Sequence, residues 1–113
     1  MKLTEIVEKL GLTVKTGDRL LDQEVKGGYV SDLMSDVMAN ADEGDLWVTL
    51  QIHQNIVAVA VMKSLAGIVL INRREPEKET VQKAEAEGIP IMVTDMPAFE
   101  LVGRLFALGI SGS

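Results

Sequence analysis

The sequence predicts an α/β fold: a single small domain with three layers, α/β/α, around a mostly parallel central sheet. Leu46-Trp47-Val48-Thr49-Leu50, Ile68-Val69-Leu70-Ile71 and Ile89-Pro90-Ile91-Met92-Val93 are short apolar segments of the kind that fill the middle of a sheet. The intervals between them are long enough for the right-handed crossovers that parallel neighbours require. With 113 residues, 47% of them hydrophobic, the chain can bury one core and is not intrinsically disordered. Residues 1–110 are read as that domain and 111–113 as a flexible tail.

Thr4 is placed as the cap of a first helix whose apolar positions Ile6, Val7 and Leu10 keep helical spacing, with Gly11 as its left-handed stop. Leu12-Thr13-Val14-Lys15 alternates as a short strand, and Thr16-Gly17-Asp18 turns the chain. A second strand is centred on Glu24-Val25-Lys26, interrupted by a Gly27-Gly28 turn. Ser31 or Ser35 then caps a helix running towards Ala41 and ended by Glu43-Gly44.

The interval from His53 to Ala66 is read as a helix capped by Gln54 or Asn55, because the flanking strands need a crossover there, although the β-branched run Ile56–Met62 also suits a strand. Such a helix is apolar all round, so its outer face needs a cover: a second copy of the chain in an isologous dimer, or else the first helix of the same chain. Pro76 opens the next helix, with Glu75, Glu77 and Glu79 near its positive end, a Glu79–Lys83 pair, Val81 and Ala84 inward, and Gly88 as its stop. The last helix starts near Asp95-Met96-Pro97, buries Leu101, Val102, Leu105, Phe106 and Leu108, and stops at Gly109, with Ile110 folding back on it.

Eleven Lys and Arg against seventeen Asp and Glu leave a net charge of −6, a field that repels phosphate backbones and anionic membranes, so neither nucleic acid nor membrane is an expected partner. The absence of cysteine removes disulfides, thiolate catalysis and thiolate metal sites. The start Met1-Lys2-Leu3-Thr4-Glu5 carries no signal core, and the longest apolar run, Ile56 to Met62, is far below the roughly 20 residues of a membrane helix. A cytoplasmic protein is expected. G-x-x-x-x-G-K-[ST], a strand-borne G-x-G-x-x-G and G-x-S-x-G are all missing, and His53, the one histidine, stands without the spacing of a metal site. No cofactor and no metal are called for.

Polar side chains concentrate where the parallel strands end, the place where open α/β sheets bind ligands. Gln51, His53, Gln54 and Asn55 follow the first central strand, Asn72, Arg73 and Arg74 the second, and Thr94 and Asp95 the third. The Gly27-Gly28 turn is expected to bring its backbone to the same rim, with Tyr29, Ser31 and Asp32 beside it. The candidate ligand-binding set is Gly27, Gly28, Ser31, Asp32, Gln51, His53, Asn55, Asn72, Arg73 and Thr94. Each also has a plain structural use: His53 and the serines as caps, the arginines as a solvated pair, Tyr29 and Trp47 as core or interface aromatics. The methionines are core filler, with Met34 and Met38 at i,i+4 spacing also suited to a partner.

The run Val25-Lys26-Gly27-Gly28-Tyr29-Val30-Ser31-Asp32-Leu33-Met34-Ser35-Asp36-Val37-Met38-Ala39-Asn40-Ala41, followed by Gly44-Asp45-Leu46-Trp47-Val48-Thr49, resembles the DRTGG-domain family, and the likeness extends from about Leu12 to Ile110. That family's domain occurs alone, in CBS-domain pyrophosphatases and in phosphotransacetylases, and is similar to the N-terminal domain of HPr kinase/phosphorylase. The resemblance implies a three-layer α/β fold, dimerisation, and a regulatory or ligand-sensing role. The naming pentapeptide itself is absent, since Gly27-Gly28 follows Val25-Lys26 and Asp18-Arg19 lies elsewhere, and no nucleotide site is carried over.

The leading expectation is a non-catalytic regulatory module, homodimeric, that binds a small anionic metabolite or nucleotide at the strand-end rim and answers to an effector protein. One rival is a small phosphoryl- or acyl-transfer enzyme using His53 with Asp32 or Asp95. Another is a pure protein-interaction subunit.

Overall fold

Leu3–Leu10 forms α1, and its first-turn amides are satisfied by neighbouring backbone rather than by a side chain. The Leu3 and Thr4 N–H groups donate to the carbonyls of Gln23 and Leu21 at 2.9 and 2.7 Å. The cap position therefore falls on Lys2, and Thr4 lies inside the helix, not at its end as expected. Gly11, at φ 63°, ends it as the sequence indicated. The computed structural model describes residues 1–112. The segment 111–113 expected as a tail thus ends outside the described residues.

Five strands follow: β1 Thr13–Thr16, β2 Gly27–Val30, β3 Asp45–Thr49, β4 Gly67–Leu70 and β5 Ile91–Val93. They form one sheet in the order β1-β5-β4-β3-β2, with β2 to β5 parallel and β1 antiparallel to β5. Between them run α2 Met34–Asn40, α3 Asn55–Lys63 and α4 Lys78–Glu87, and α5 Ala98–Ala107 comes last. Trp47, Ile68, Leu70, Ile91 and Val93 face a core with α2, α3 and α4. Leu46, Val48, Val69 and Met92 face the opposite core with α1 and α5. The period-2 alternation of the strands thus separates two helical layers, and the three-layer α/β/α fold holds.

Four local expectations are corrected. The second strand begins at Gly27 instead of ending before it, and the glycine pair is extended backbone inside β2. A Cβ at Gly27 would stand 2.9 Å from Asp45 Oδ1 and 3.1 Å from the Ser111 carbonyl, so close packing, and not a turn, requires glycine there. α2 is capped at Leu33, with neither Ser31 nor Ser35 at the cap position, although the Ser31 hydroxyl accepts the Leu33 N–H at 3.1 Å. α4 starts one residue after Glu77, leaving Pro76 outside; Thr80 and Ala84 are its buried positions, and the Glu79–Lys83 pair is not formed among the described residues. In α5 only Leu101 and Leu105 are buried: Val102 and Phe106 are exposed and Leu108 half-buried, because positions 102 and 106 turn away from the face that meets the sheet.

The helix reading of residues 55–63 holds, with Gln54 at the cap position. The first helix of the chain does not cover it, since α1 packs in the opposite core; α3 lies between α2 and α4 in one layer, which hides Ile56, Val57, Val59 and Ala60 and leaves Val61 and Met62 outside. Met34 and Met38 pack against this core, and Trp47 is fully buried within it. No helix among the described residues is long and apolar enough to cross a membrane.

Candidate functional site

The chain leaves β2, β3 and β4 towards one face of the sheet and leaves β5 towards the other, where α5 lies. Adjacent strands whose exits diverge open a crevice at their carboxyl ends. A cleft of about 560 Å³ occupies that place, between the β4 and β5 exits, the end of α1 and one flank of α5. Thr13, Arg73, Glu75, Thr94, Asp95 and Arg104 supply its polar lining.

The backbone under Arg73 is unusual. Asn72 and Arg73 both adopt left-handed conformations, φ 56° and 60°, a geometry that costs side-chain-bearing residues roughly 1 kcal/mol each. Cross-loop hydrogen bonds hold it: Asn72 N–H donates to the Met96 carbonyl and Arg73 N–H to the Thr94 carbonyl, both at 3.0 Å. Met96 N–H donates to Thr94 Oγ1 at 3.2 Å, tightening the second loop. The Arg73 guanidinium stands 3.5 Å from Asp95 with both side chains 79% exposed, a loose pair that an incoming anion can displace. Arg104 pairs with Glu100 at 2.9 Å on α5, and Lys15 with Glu75 at 3.0 Å. Two guanidiniums from separate elements, each able to grip a carboxylate or phosphate in a planar fork, therefore border one cleft.

Of the ten expected residues, Arg73 and Thr94 line this cleft, and Asn72 forms the strained bend that presents Arg73. Ser31, Asp32 and Gln51 gather elsewhere, at the β2 and β3 exits. Asp32 Oδ1 accepts the Thr49 hydroxyl at 2.8 Å and the Leu50 N–H at 2.7 Å, while Gln51 Nε2 donates to the Asp32 carbonyl at 2.9 Å. These groups stitch two loops together and satisfy one another. Trp47 Nε1–H donates to the Ser31 carbonyl at 2.8 Å beside them.

His53 is exposed, and its Nδ1 accepts the Asn55 N–H at 3.2 Å, closing the first turn of α3. It forms no ion pair with a carboxylate among the described residues, so the dyad with Asp32 or Asp95 is not assembled. Gly27 and Gly28 lie at the amino end of β2, opposite the rim where their backbone was expected. Arg104 and Glu75 are cleft residues that sequence reasoning missed; Arg104 carried a signal, as the one cation in α5.

Tyr29 and Asp36 make a second polar contact behind the sheet, the phenol donating to Asp36 Oδ2 at 2.8 Å. The bond holds the Asp36 carboxyl below its ordinary range, chiefly by stabilising the ionised form. It raises Tyr29, chiefly because ionisation would lose the same bond.

No protein-family model matches the sequence, and no curated protein does. Among solved structures the chain is similar to the CBS and DRTGG domains of the regulatory region of Clostridium perfringens pyrophosphatase, crystallised with its activator diadenosine tetraphosphate. The TM-score is 0.70 at 15% identity, over 97% of this chain and 47% of the other. That likeness is one of fold. The chain spans about half the length of the structure it matches.

Proposed function

We propose that this protein is a non-catalytic, DRTGG-like regulatory module that senses a small anionic metabolite or nucleotide and works as a cytoplasmic homodimer signalling to an effector protein. The observation that carries the ligand part is Arg73, kept in a strained left-handed bend at a cleft it shares with Arg104. Strain that persists where two loops are laced around it is the signature of a side chain placed for use. The likeness to a regulatory region crystallised with a nucleotide activator, and the run from Val25 to Ala41, support the same role class. His53, without a carboxylate partner, gives the transfer-enzyme alternative no footing.

A thermal-shift screen across nucleotides, acyl phosphates and organic acids tests the reading. Expected is a saturable rise in melting temperature with at least one anion, with apparent affinity weakened about tenfold in Arg73→Ala and in Arg104→Ala. No response to any of them at millimolar concentration removes the ligand part. The surviving alternative is then a pure interaction subunit, favoured by the exposed phenyl rings of α5.

A further inference from the structure

The cleft is built unlike a phosphate site. Phosphates at strand ends are held by free backbone N–H groups and helix N-termini. Here the N–H groups of Asn72, Arg73 and Arg74 already donate to the carbonyls of Met96, Thr94 and Ile71 at 3.0, 3.0 and 3.1 Å. The Met96 N–H is taken by Thr94 Oγ1, and the first turns of α4 and α5 lie outside the lining. The lining carries two cations, Arg73 and Arg104, and two acids, Glu75 and Asp95, so its formal charges sum to zero. With −6 over the whole chain, a nucleotide polyphosphate meets neither a cradle nor an attracting field.

What the cleft offers instead is a matched set of opposite charges. Asp95 and Glu100 contact Arg73 and Arg104 at Nε alone, at 3.5 and 2.9 Å, so the terminal nitrogens of both guanidiniums keep their donors for an incoming acid. Thr94 is 8% exposed, and its hydroxyl proton has no acceptor among the described residues, which adds a neutral donor. Glu75 is occupied by Lys15 at 3.0 Å, which leaves Asp95 as the loosely held acid. A simple anion that takes Arg73 sets its own charge beside Asp95. A ligand that also brings an ammonium turns that repulsion into a second ion pair, because Arg73 passes to the ligand carboxylate and Asp95 to the amine. Since Arg73 and Asp95 stand 3.5 Å apart, the acid and the amine must sit on the same or neighbouring carbons.

We infer that the ligand of this cleft is an amino dicarboxylate: Asp95 accepts its ammonium, Arg73 holds the adjacent carboxylate and Arg104 the distal one. The inference rests on the anion-sensing reading above and narrows its ligand to an anion that carries a protonated amine.

Isothermal titration calorimetry of the full chain tests it, comparing L-glutamate and L-aspartate with glutarate and succinate, which lack only the amine, and with ATP. Expected is that one of the amino dicarboxylates binds at least tenfold more tightly than its amine-free counterpart and than ATP. Asp95→Asn is expected to weaken that amino acid about tenfold and to leave the plain diacid unchanged or tighter. Asp95 is exposed, and the melting curve of the unliganded variant checks that it folds. Glutarate, succinate or ATP binding as tightly as the amino acids overturns the inference and leaves the anion reading standing. So does silence from glutamate and aspartate when another anion of the thermal screen responds. A preference for the amine that survives Asp95→Asn overturns the role given to Asp95. Silence from every anion overturns both readings.

Discussion

Arg73 holds a conformation that glycine adopts without cost, so a substitution can separate fold from function at that one residue. Arg73→Gly is expected to raise stability to urea by about 0.5–1 kcal/mol while weakening anion binding about tenfold, and Arg73→Ala to weaken binding as much with no such gain. Urea titrations paired with the ligand screen check this. A second residue-scale expectation concerns pH. Asp36 is held below its ordinary value of 3.8, so its contribution is present above that value and lost as pH falls through the lowered one. Tyr29 is raised above 10.0, so its contribution is present below that value and lost as pH rises through the raised one. The bond between them is therefore complete across neutral pH and fails at both extremes. Tyr29→Phe should flatten both flanks of the stability profile, measured by urea unfolding across the acid and alkaline ranges, with the wild type converging on the variant at each end.

At the scale of elements, β2 shows best what local pattern can and cannot convey. Gly27→Ala should destabilise the protein by about 1–3 kcal/mol, because its Cβ enters a space already held by Asp45, 1% exposed, and by the Ser111 carbonyl. A lowered urea midpoint at unchanged slope checks it. The three central strands were legible because a strand buried on both faces must read as a continuous apolar run. α3 was legible by a different route: its composition suits a strand, and only the need for a crossover between parallel neighbours makes it a helix. β2 was not legible, since two glycines in a row look like a turn until a partner backbone is known to press on them. The Thr4 cap failed for a related reason: backbone carbonyls of Gln23 and Leu21, some twenty residues away, satisfy the start of α1, and no local motif encodes such partners. For the cleft, Arg73 and Thr94 followed from lying just beyond strand ends, whereas Arg104 comes from an element that only the folded topology brings alongside.

Over the whole molecule, α5 joins the two layers of the account: Arg104 on one flank borders the cleft, and the phenyl stripe faces outward from the same helix. The central claim, an anion sensed at the divergence of the β4 and β5 exits, is tested most directly by two-dimensional amide NMR during titration with the anion selected by the thermal screen. Expected are saturable shifts concentrated at Gly11, Asn72–Glu75, Thr94–Met96 and the Arg104 turn, with a midpoint about tenfold higher in Arg73→Ala. Shifts centred instead on Ser31, Asp32 and Gln51, or an unchanged midpoint without the Arg73 guanidinium, would contradict it.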